Sequence, residues 1–124
     1  MSIAAALSEV QGRISAAARA AGRDPAAVQL IAVSKTQPAE AVREAYAAGQ
    51  RDFGENYVQE LVQKAEALSD LPDLRWHLIG HLQRNKAKQV APLVSMVHTV
   101  DSVELGRELA KRRVAAGKSE RLPV

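Results

Sequence analysis

The stretch LIAVSKTQPAE, residues Leu30–Glu40, decides the fold. Its apolar half, Leu30–Ser34, predicts a short buried strand. Pro38 predicts the start of a helix, because its missing N–H costs nothing in a first helical turn. Lys35 stands between the two elements. In parallel α/β proteins, ligands bind where strands end and helices begin, so the stretch predicts a strand–helix unit with a primary amine at its ligand-binding end.

The same alternation of strand and helix continues along the chain. The sequence predicts an amphipathic helix over residues 3–20 and then four strands, each followed by a helix. This order predicts a parallel sheet with right-handed crossovers, and both an open doubly wound sheet and half of an eight-unit barrel fit it. The predicted strands are Leu30–Ser34, Arg51–Phe53, Arg75–Ile79 and Met96–Val100. The helices that follow them are predicted to begin near Pro38, Asn56, Asn85 and Asp101. The pattern of Arg121–Val124 predicts the opening of a fifth strand.

Length and composition indicate a single globular domain, residues 1–124, and exclude several classes of protein. Apolar residues make up 47% of the chain and charged residues 25%, and no apolar run reaches the length of a membrane span. The absence of cysteine excludes disulfides, thiolate metal sites and cysteine nucleophiles. The N-terminus lacks the pattern of a secretory signal, so we expect a cytoplasmic protein without a membrane partner. No phosphate-binding glycine motif follows the first strand, which argues against kinases and dehydrogenases.

The net charge of +3 is compatible with an anionic small molecule as well as with nucleic acid. The basic run Arg84, Lys86 and Lys88 has no interleaved aromatic residues and belongs to no known nucleic-acid module. We therefore interpret this run as a solvated helix face and do not expect nucleic acid to be a partner. An anion contact at the start of that helix remains an open alternative.

Lys35 can act as a nucleophile towards a carbonyl group only after its ammonium has lost a proton. Desolvation lowers the pKa of a lysine from about 10.4 and makes a Schiff base accessible near neutral pH. The apolar strand Leu30–Ser34 predicts such desolvation. The competing interpretation is an ammonium group that simply reaches solvent at a strand end, and the local pattern leaves both open.

Asn56 is the polar residue that follows the second strand. Gly54 permits a tight turn there, so the amide of Asn56 is expected in the same layer as Lys35. Asn56 and Gln59 also form a capping-box pattern, which predicts that Asn56 caps the next helix. The two roles are compatible.

The three histidines do not predict a metal site. His77 and His81 are too far apart if the strand continues, and no carboxylate stands at a ligand spacing if Gly80 turns the chain. Alternation predicts that His77 and Ile79 share one face of the third strand. His98 is predicted to be a hydrogen-bonded core residue.

Three segments, IAVSKTQP, GQRDFGENYVQE and WHLIGHLQRNK, resemble the pyridoxal-phosphate homeostasis protein family, relatives of the alanine racemase N-terminal barrel. The resemblance extends to HTVDS (His98–Ser102) and covers this whole chain, but only the first half of a typical member. It implies a TIM-type (β/α)8 barrel, of which this chain supplies about four units and an extra N-terminal helix. It further implies that Lys35 forms a Schiff base with pyridoxal 5′-phosphate and that Asn56 and His77 line the cofactor layer.

The function implied by the resemblance is that of a non-enzymatic cofactor carrier in vitamin B6 and amino-acid homeostasis. The alternative is an amino-acid racemase that uses the same cofactor, which needs a second group for proton transfer. No tyrosine or cysteine stands in an obvious position for that role, because Tyr57 is predicted to lie in a helix.

The resemblance places the phosphate-binding groups on later strand ends, outside this chain. Half a barrel leaves parallel strands with unpaired edges, and such edges favour association. We therefore expect either a truncated chain or the pairing of two copies to cover the edges.

Overall fold

The computed structural model describes residues 2–124 and contains one parallel sheet of four strands. The strands follow one another across the sheet in chain order, so each crossover adds its strand to the same edge. A doubly wound sheet would reverse direction part-way, whereas a barrel does not. The predicted α/β class is confirmed, and the order favours the barrel. The strands are β1 (Ala32–Val33), β2 (Asp52–Glu55), β3 (Arg75–Leu78) and β4 (Val94–Val97).

Helices connect the strands, as predicted. The N-terminal helix has its predicted limits. The helix predicted from Asn85 is shorter than expected and consists of one 3₁₀ turn and one α turn. No helix within residues 2–124 combines the length and the apolarity needed to cross a membrane. The helices are α1 (Ile3–Ala20), α2 (Ala39–Ala47), α3 (Val58–Ala67), α4 (Ala87–Val90) and α5 (Val103–Ala115), with 3₁₀ turns at Pro25–Ala27 and Arg84–Lys86.

The helix cap predicted at Asn56 is wrong by one residue. Tyr57, not Asn56, is the N-cap of α3, and it makes no side-chain capping bond. The backbone of Asn56 packs instead against Gly80, which holds Asn56 in the loop. At α5 the cap is Ser102, whose hydroxyl accepts a 3.1 Å hydrogen bond from the Leu105 N–H.

The core lies between the helices and one face of the sheet. Phe53 and Trp76 are register partners with ring centroids 6.1 Å apart, and both are buried. Leu78 and Val97 continue this face, also as partners in register. The buried apolar side chains provide most of the folding free energy, at about 25 cal/mol per Å² removed from water.

The opposite side of the sheet, which we call the inner face, is defined by Ile31, Gly54 and Ile79. A β-carbon built on Gly54 would lie 3.0 Å from Ile79 Cδ1 and 3.2 Å from Ile31 Cγ2, so the three residues share one side. His77 pairs with Gly54 in register and lies on the same face, as predicted. The Val97 N–H donates a 3.1 Å hydrogen bond to the Pro123 carbonyl, so the predicted opening of a fifth strand runs beside β4.

Candidate functional site

Lys35 lies immediately beyond the carboxyl end of β1. The Ser34 N–H donates a 3.0 Å hydrogen bond to the Gly54 carbonyl and extends the ladder by one residue. The side chain of Ser34 is buried towards the helices, where it contacts Glu55. Val33 lies on the inner face as the register partner of Gly54, and continued alternation through Ser34 would direct the side chain of Lys35 to the same face.

The predicted desolvation of Lys35 is not found. Its side chain is exposed. β1 is an edge strand of only two residues, and its Val33 is itself 53% exposed. The apolar run therefore shields the helix side of the sheet but leaves the inner face open. No carboxylate within residues 2–124 forms an ion pair with Lys35.

Lys35 is the second residue of a tight turn, Ser34–Gln37, closed by a 3.1 Å hydrogen bond from the Gln37 N–H to the Ser34 carbonyl. We call this segment the lysine turn. Its third residue, Thr36, has a φ of 63°, where type II turns normally carry glycine. A β-branched residue in this region is strained. Thr36 Oγ1 donates a 2.6 Å hydrogen bond to the Lys35 carbonyl.

A buried ionic cluster lies behind the lysine turn, on the helix side. Lys64 Nζ donates to the Ser34 carbonyl at 2.5 Å, to Glu55 Oε2 at 2.9 Å and to Glu60 Oε2 at 3.0 Å. Glu60 Oε2 also accepts a 2.7 Å hydrogen bond from the Thr36 N–H. The hydrogen bond from Lys64 outweighs the effect of desolvation and holds the pKa of Glu60 below its usual range.

Sequence reasoning missed this cluster. Glu60 and Lys64 stand four residues apart, a spacing that predicts an ion pair on a helix. The same spacing is common on solvated helix faces. Only the fold shows that Glu55 and Ser34 complete the cluster in the interior.

The ends of β2 and β3 border an open cavity of about 890 Å³. Asn56 lies in its wall, whereas Lys35 and His77 do not line it. The neighbouring loop is fixed by Gly80, because a β-carbon there would lie only 2.1 Å from the Asn56 carbonyl oxygen. The wall includes Asn56, Tyr57, Gly80, His81, Lys86 and Gln89.

His77 lies inside β3 rather than at its end, and both of its ring nitrogens are engaged. Nε2 is 2.9 Å from Asp52 Oδ1, and Nδ1 is 3.0 Å from His98 Nε2. Asp52 in turn accepts two 2.8 Å hydrogen bonds from the guanidinium of Arg75. This polar row, Asp52–His77–His98, crosses β2, β3 and the end of β4. His77 is thus below the layer of Lys35 and Asn56.

The prediction for His98 was half right. It is hydrogen-bonded, but it is exposed because β4 ends one residue earlier. Desolvation and the proximity of His77 lower the pKa of His98. Burial raises the pKa of Asp52, but the hydrogen bonds from Arg75 and His77 outweigh it, so its net pKa is lowered. No local sequence pattern indicates this row, because the row depends on the register between separate strands.

Comparison with known proteins confirms the resemblance seen in the sequence, although no family model matches the chain. The pyridoxal phosphate homeostasis protein of Pseudomonas aeruginosa is 54% identical over 113 residues, which are 91% of this chain and 49% of that protein. The protein of the same name from Bos taurus is 46% identical over 131 residues, covering 100% of this chain and 48% of that protein. This chain is a relative of the pyridoxal phosphate homeostasis proteins. It spans about half the length of the curated relatives it matches.

Solved structures show the same relationship. PipY of Synechococcus elongatus, in a structure with pyridoxal phosphate bound, matches with a TM-score of 0.72 at 50% identity. The match covers 86% of this chain and 50% of that chain. A Bifidobacterium adolescentis protein matches with a TM-score of 0.84 at 36% identity, over 93% of this chain and 51% of that chain. These matches confirm the predicted fold class, again over about half of each relative.

Proposed function

We propose that this chain is the N-terminal half of a pyridoxal 5′-phosphate-binding protein that acts in vitamin B6 and amino-acid homeostasis, with the cofactor held as a Schiff base on Lys35. The observation that carries the proposal is the position of Lys35. Lys35 follows the carboxyl end of β1, and alternation along the strand would direct its amine to the inner face. This is the end at which barrels of this class bind their ligands.

The residues present fit the aldehyde end of the cofactor. Lys35 forms no ion pair within residues 2–124, so no carboxylate there competes with an aldehyde for contact with its amine. Gly54 is the register partner of Val33, and the side chains of Ile31 and Ile79 pack over it, which gives the inner face an apolar floor. Asn56 offers an amide at the mouth of the neighbouring cavity. For the phosphate, the resemblance points to strand ends outside this chain, and we assign no phosphate ligand within it.

When bound, the cofactor supplies an aldehyde that condenses reversibly with a primary amine. Lys35 contributes an uncharged Nζ to this bond, and the aldehyde oxygen leaves as water. Because the side chain is exposed, solvent takes up the proton that the ammonium must lose. Shielding from water has to come from a surface that covers the inner face.

We further propose supporting roles for two residues. Asn56 orients the ring from the end of β2, where its backbone is fixed by Gly80. His77 supports the floor below the ring, since Asp52 and His98 hold its imidazole in one orientation.

We propose that residues 1–124 form a single domain that supplies four of the eight units of a barrel. The edge strand β1 carries backbone groups that a further strand would pair, whereas β4 is already contacted by the C-terminal segment through the Val97–Pro123 hydrogen bond. The remaining units of a longer chain would cover them, and in this chain alone a second copy would do so. Sedimentation velocity tests whether two copies pair, because a sedimentation coefficient that stays monomeric at all concentrations rules out self-pairing.

The site fits a cofactor carrier better than an enzyme. The relatives are named pyridoxal phosphate homeostasis proteins, a name that suggests a regulatory role. A racemase needs a second acid–base group at the substrate carbon. Tyr57 borders the cavity, but it is 65% exposed and held by no side-chain hydrogen bond among residues 2–124. Deuterium exchange at the α-carbon of alanine tests the alternative, since a carrier leaves that proton in place.

The direct test is a titration with pyridoxal phosphate followed by borohydride reduction and peptide mapping. We expect an imine absorbance band and a single labelled peptide that contains Lys35. Lys35→Ala should abolish both, whereas Lys88→Ala, which removes an exposed lysine from α4, should change neither. Label spread over several lysines, or retained in Lys35→Ala, would reject the assignment.

A further inference from the structure

Both peptide groups that flank Lys35 are held by side chains of α3. The carbonyl before it, of Ser34, accepts the 2.5 Å hydrogen bond from Lys64 Nζ. The N–H after it, of Thr36, donates the 2.7 Å hydrogen bond to Glu60 Oε2. Glu60 and Lys64 lie one helical turn apart and are joined at 3.0 Å. One ion pair therefore holds the backbone on both sides of the lysine.

The ion pair is not expected to contribute much to the free energy of unfolding. The side chain of Lys64 is only 7% exposed and that of Glu55 is fully buried. Taking such charges out of water costs several kcal/mol per ion, and apolar side chains of similar volume often stabilise a fold as well or better. Glu55 Oε1 also has no hydrogen-bond partner within residues 2–124. The charges therefore call for an explanation other than stability.

The strained backbone of the lysine turn explains why charged residues are buried behind it. Thr36 keeps its φ of 63° only if the surrounding contacts hold it there, and strained residues of this kind cluster at functional sites. The hydrogen bond from Thr36 to Glu60 is such a contact. Without it, the turn loses a contact that holds the strained φ of Thr36, so the direction in which Lys35 projects is no longer fixed.

We propose that Glu60 and Lys64 are positioning residues for Lys35: they fix the backbone of the lysine turn so that the exposed amine projects over the inner face. This proposal rests on the proposed role of Lys35 as the site that condenses with the cofactor aldehyde. Positioning matters here because a lysine side chain is long and flexible, and the fixed backbone limits the directions it can take. Glu55 and Ser34 complete the support from the strand side.

The experiment compares Glu60→Gln, Glu60→Ala and Lys64→Met with wild type and with Glu66→Gln. Glu66 is exposed on the same helix and serves as the matched control. The first readout is the dissociation constant for pyridoxal phosphate, from the imine absorbance, with borohydride trapping to measure the share of label on Lys35. The second readout uses the unliganded protein, in which the amide proton of Thr36 is followed by NMR chemical shift and hydrogen exchange.

A charge-assisted hydrogen bond lost at the turn should weaken imine formation about tenfold, with Glu60→Ala more affected than Glu60→Gln. The Thr36 amide should exchange faster in both, and label should spread from Lys35 to other lysines. Glu66→Gln should behave as wild type. A purely structural role would lower the unfolding midpoint without redistributing the label.

The outcomes separate the two proposals. If wild type forms no imine on Lys35, the proposed function fails and the positioning role fails with it. If wild type reacts and the Glu60 variants react equally well at Lys35, only the positioning role is overturned. If Lys64→Met does not fold, Glu60→Gln decides alone, because it keeps the shape of a residue whose side chain is 24% exposed.

Discussion

Gly80→Ala tests whether the ends of β2 and β3 are as closely packed as the structure shows. The added methyl group would lie 2.1 Å from the Asn56 carbonyl oxygen and 2.8 Å from both Asn56 C and Cα. Ordinary contacts of this kind are about 3.5–4.0 Å. All three colliding atoms are backbone atoms, so no side-chain rotation relieves the clash and the loop itself must move.

The expected cost is at the upper end of the range for overpacking, about 3 kcal/mol. For a chain of this length, that loss lowers the melting temperature by roughly 10 °C. Moving the loop also displaces Asn56 from the cavity wall, so pyridoxal phosphate binding should weaken in the protein that remains folded. Urea denaturation followed by circular dichroism measures the first effect, and the absorbance titration measures the second.

Gly106→Ala is the matched control for this substitution. Gly106 lies within α5, and a β-carbon there would meet nothing closer than Val100 Cγ1 at 3.9 Å. Alanine is favoured over glycine inside a helix by about 1 kcal/mol, so this variant should be unchanged or more stable. Equal unfolding midpoints for Gly80→Ala and Gly106→Ala would refute the close contact between the two loops.

Two further predictions concern the two faces of the sheet. The folded-state pKa of Asp52 is lowered, so its contribution to stability is present above the unfolded value of about 3.9 and is lost as the pH falls through the folded value. Asp52→Asn should therefore be less stable than wild type at pH 7, with the gap in urea midpoint closing below about pH 4; a gap independent of pH would contradict this. On the other face, Leu78 is fully buried, and Leu78→Ala should cost about 2–5 kcal/mol in urea denaturation. Val114→Ala, at a site 74% exposed, should stay within about 0.5 kcal/mol, and a similar loss in both would argue against the assigned core.

The sequence predicts well those features that depend on the local periodicity of apolar residues. Alternating apolar strands and amphipathic helices predict the parallel sheet, and the position of Lys35 after an apolar run predicts its place at a strand end. The face shared by His77 and Ile79 also follows from the two-residue repeat of a strand. These inferences need no knowledge of which strand lies beside which.

The features that the sequence does not predict depend on contacts between distant segments. Ser34 and Lys64 are thirty residues apart, and only the placement of α3 over β1 and β2 brings them together. The exposure of Lys35 depends on β1 being the edge strand, which is a property of the whole sheet. The cap at Asn56 fails for the same reason, since the approach of Gly80 from another loop overrides the local capping pattern.

The adjacent residues Ser34 and Lys35 join the two sides of the sheet at the proposed site. Ser34 turns towards the helices, where its hydroxyl and carbonyl are held by Glu55 and Lys64. Lys35 follows on the other side, with no ionic partner within residues 2–124. Neighbouring side chains at a strand end tend to point to opposite sides, so anchoring Ser34 in the interior directs Lys35 towards the inner face. The buried charges of α3 can therefore act on the amine without touching it, and the amine stays open to an aldehyde because its support lies entirely behind the sheet.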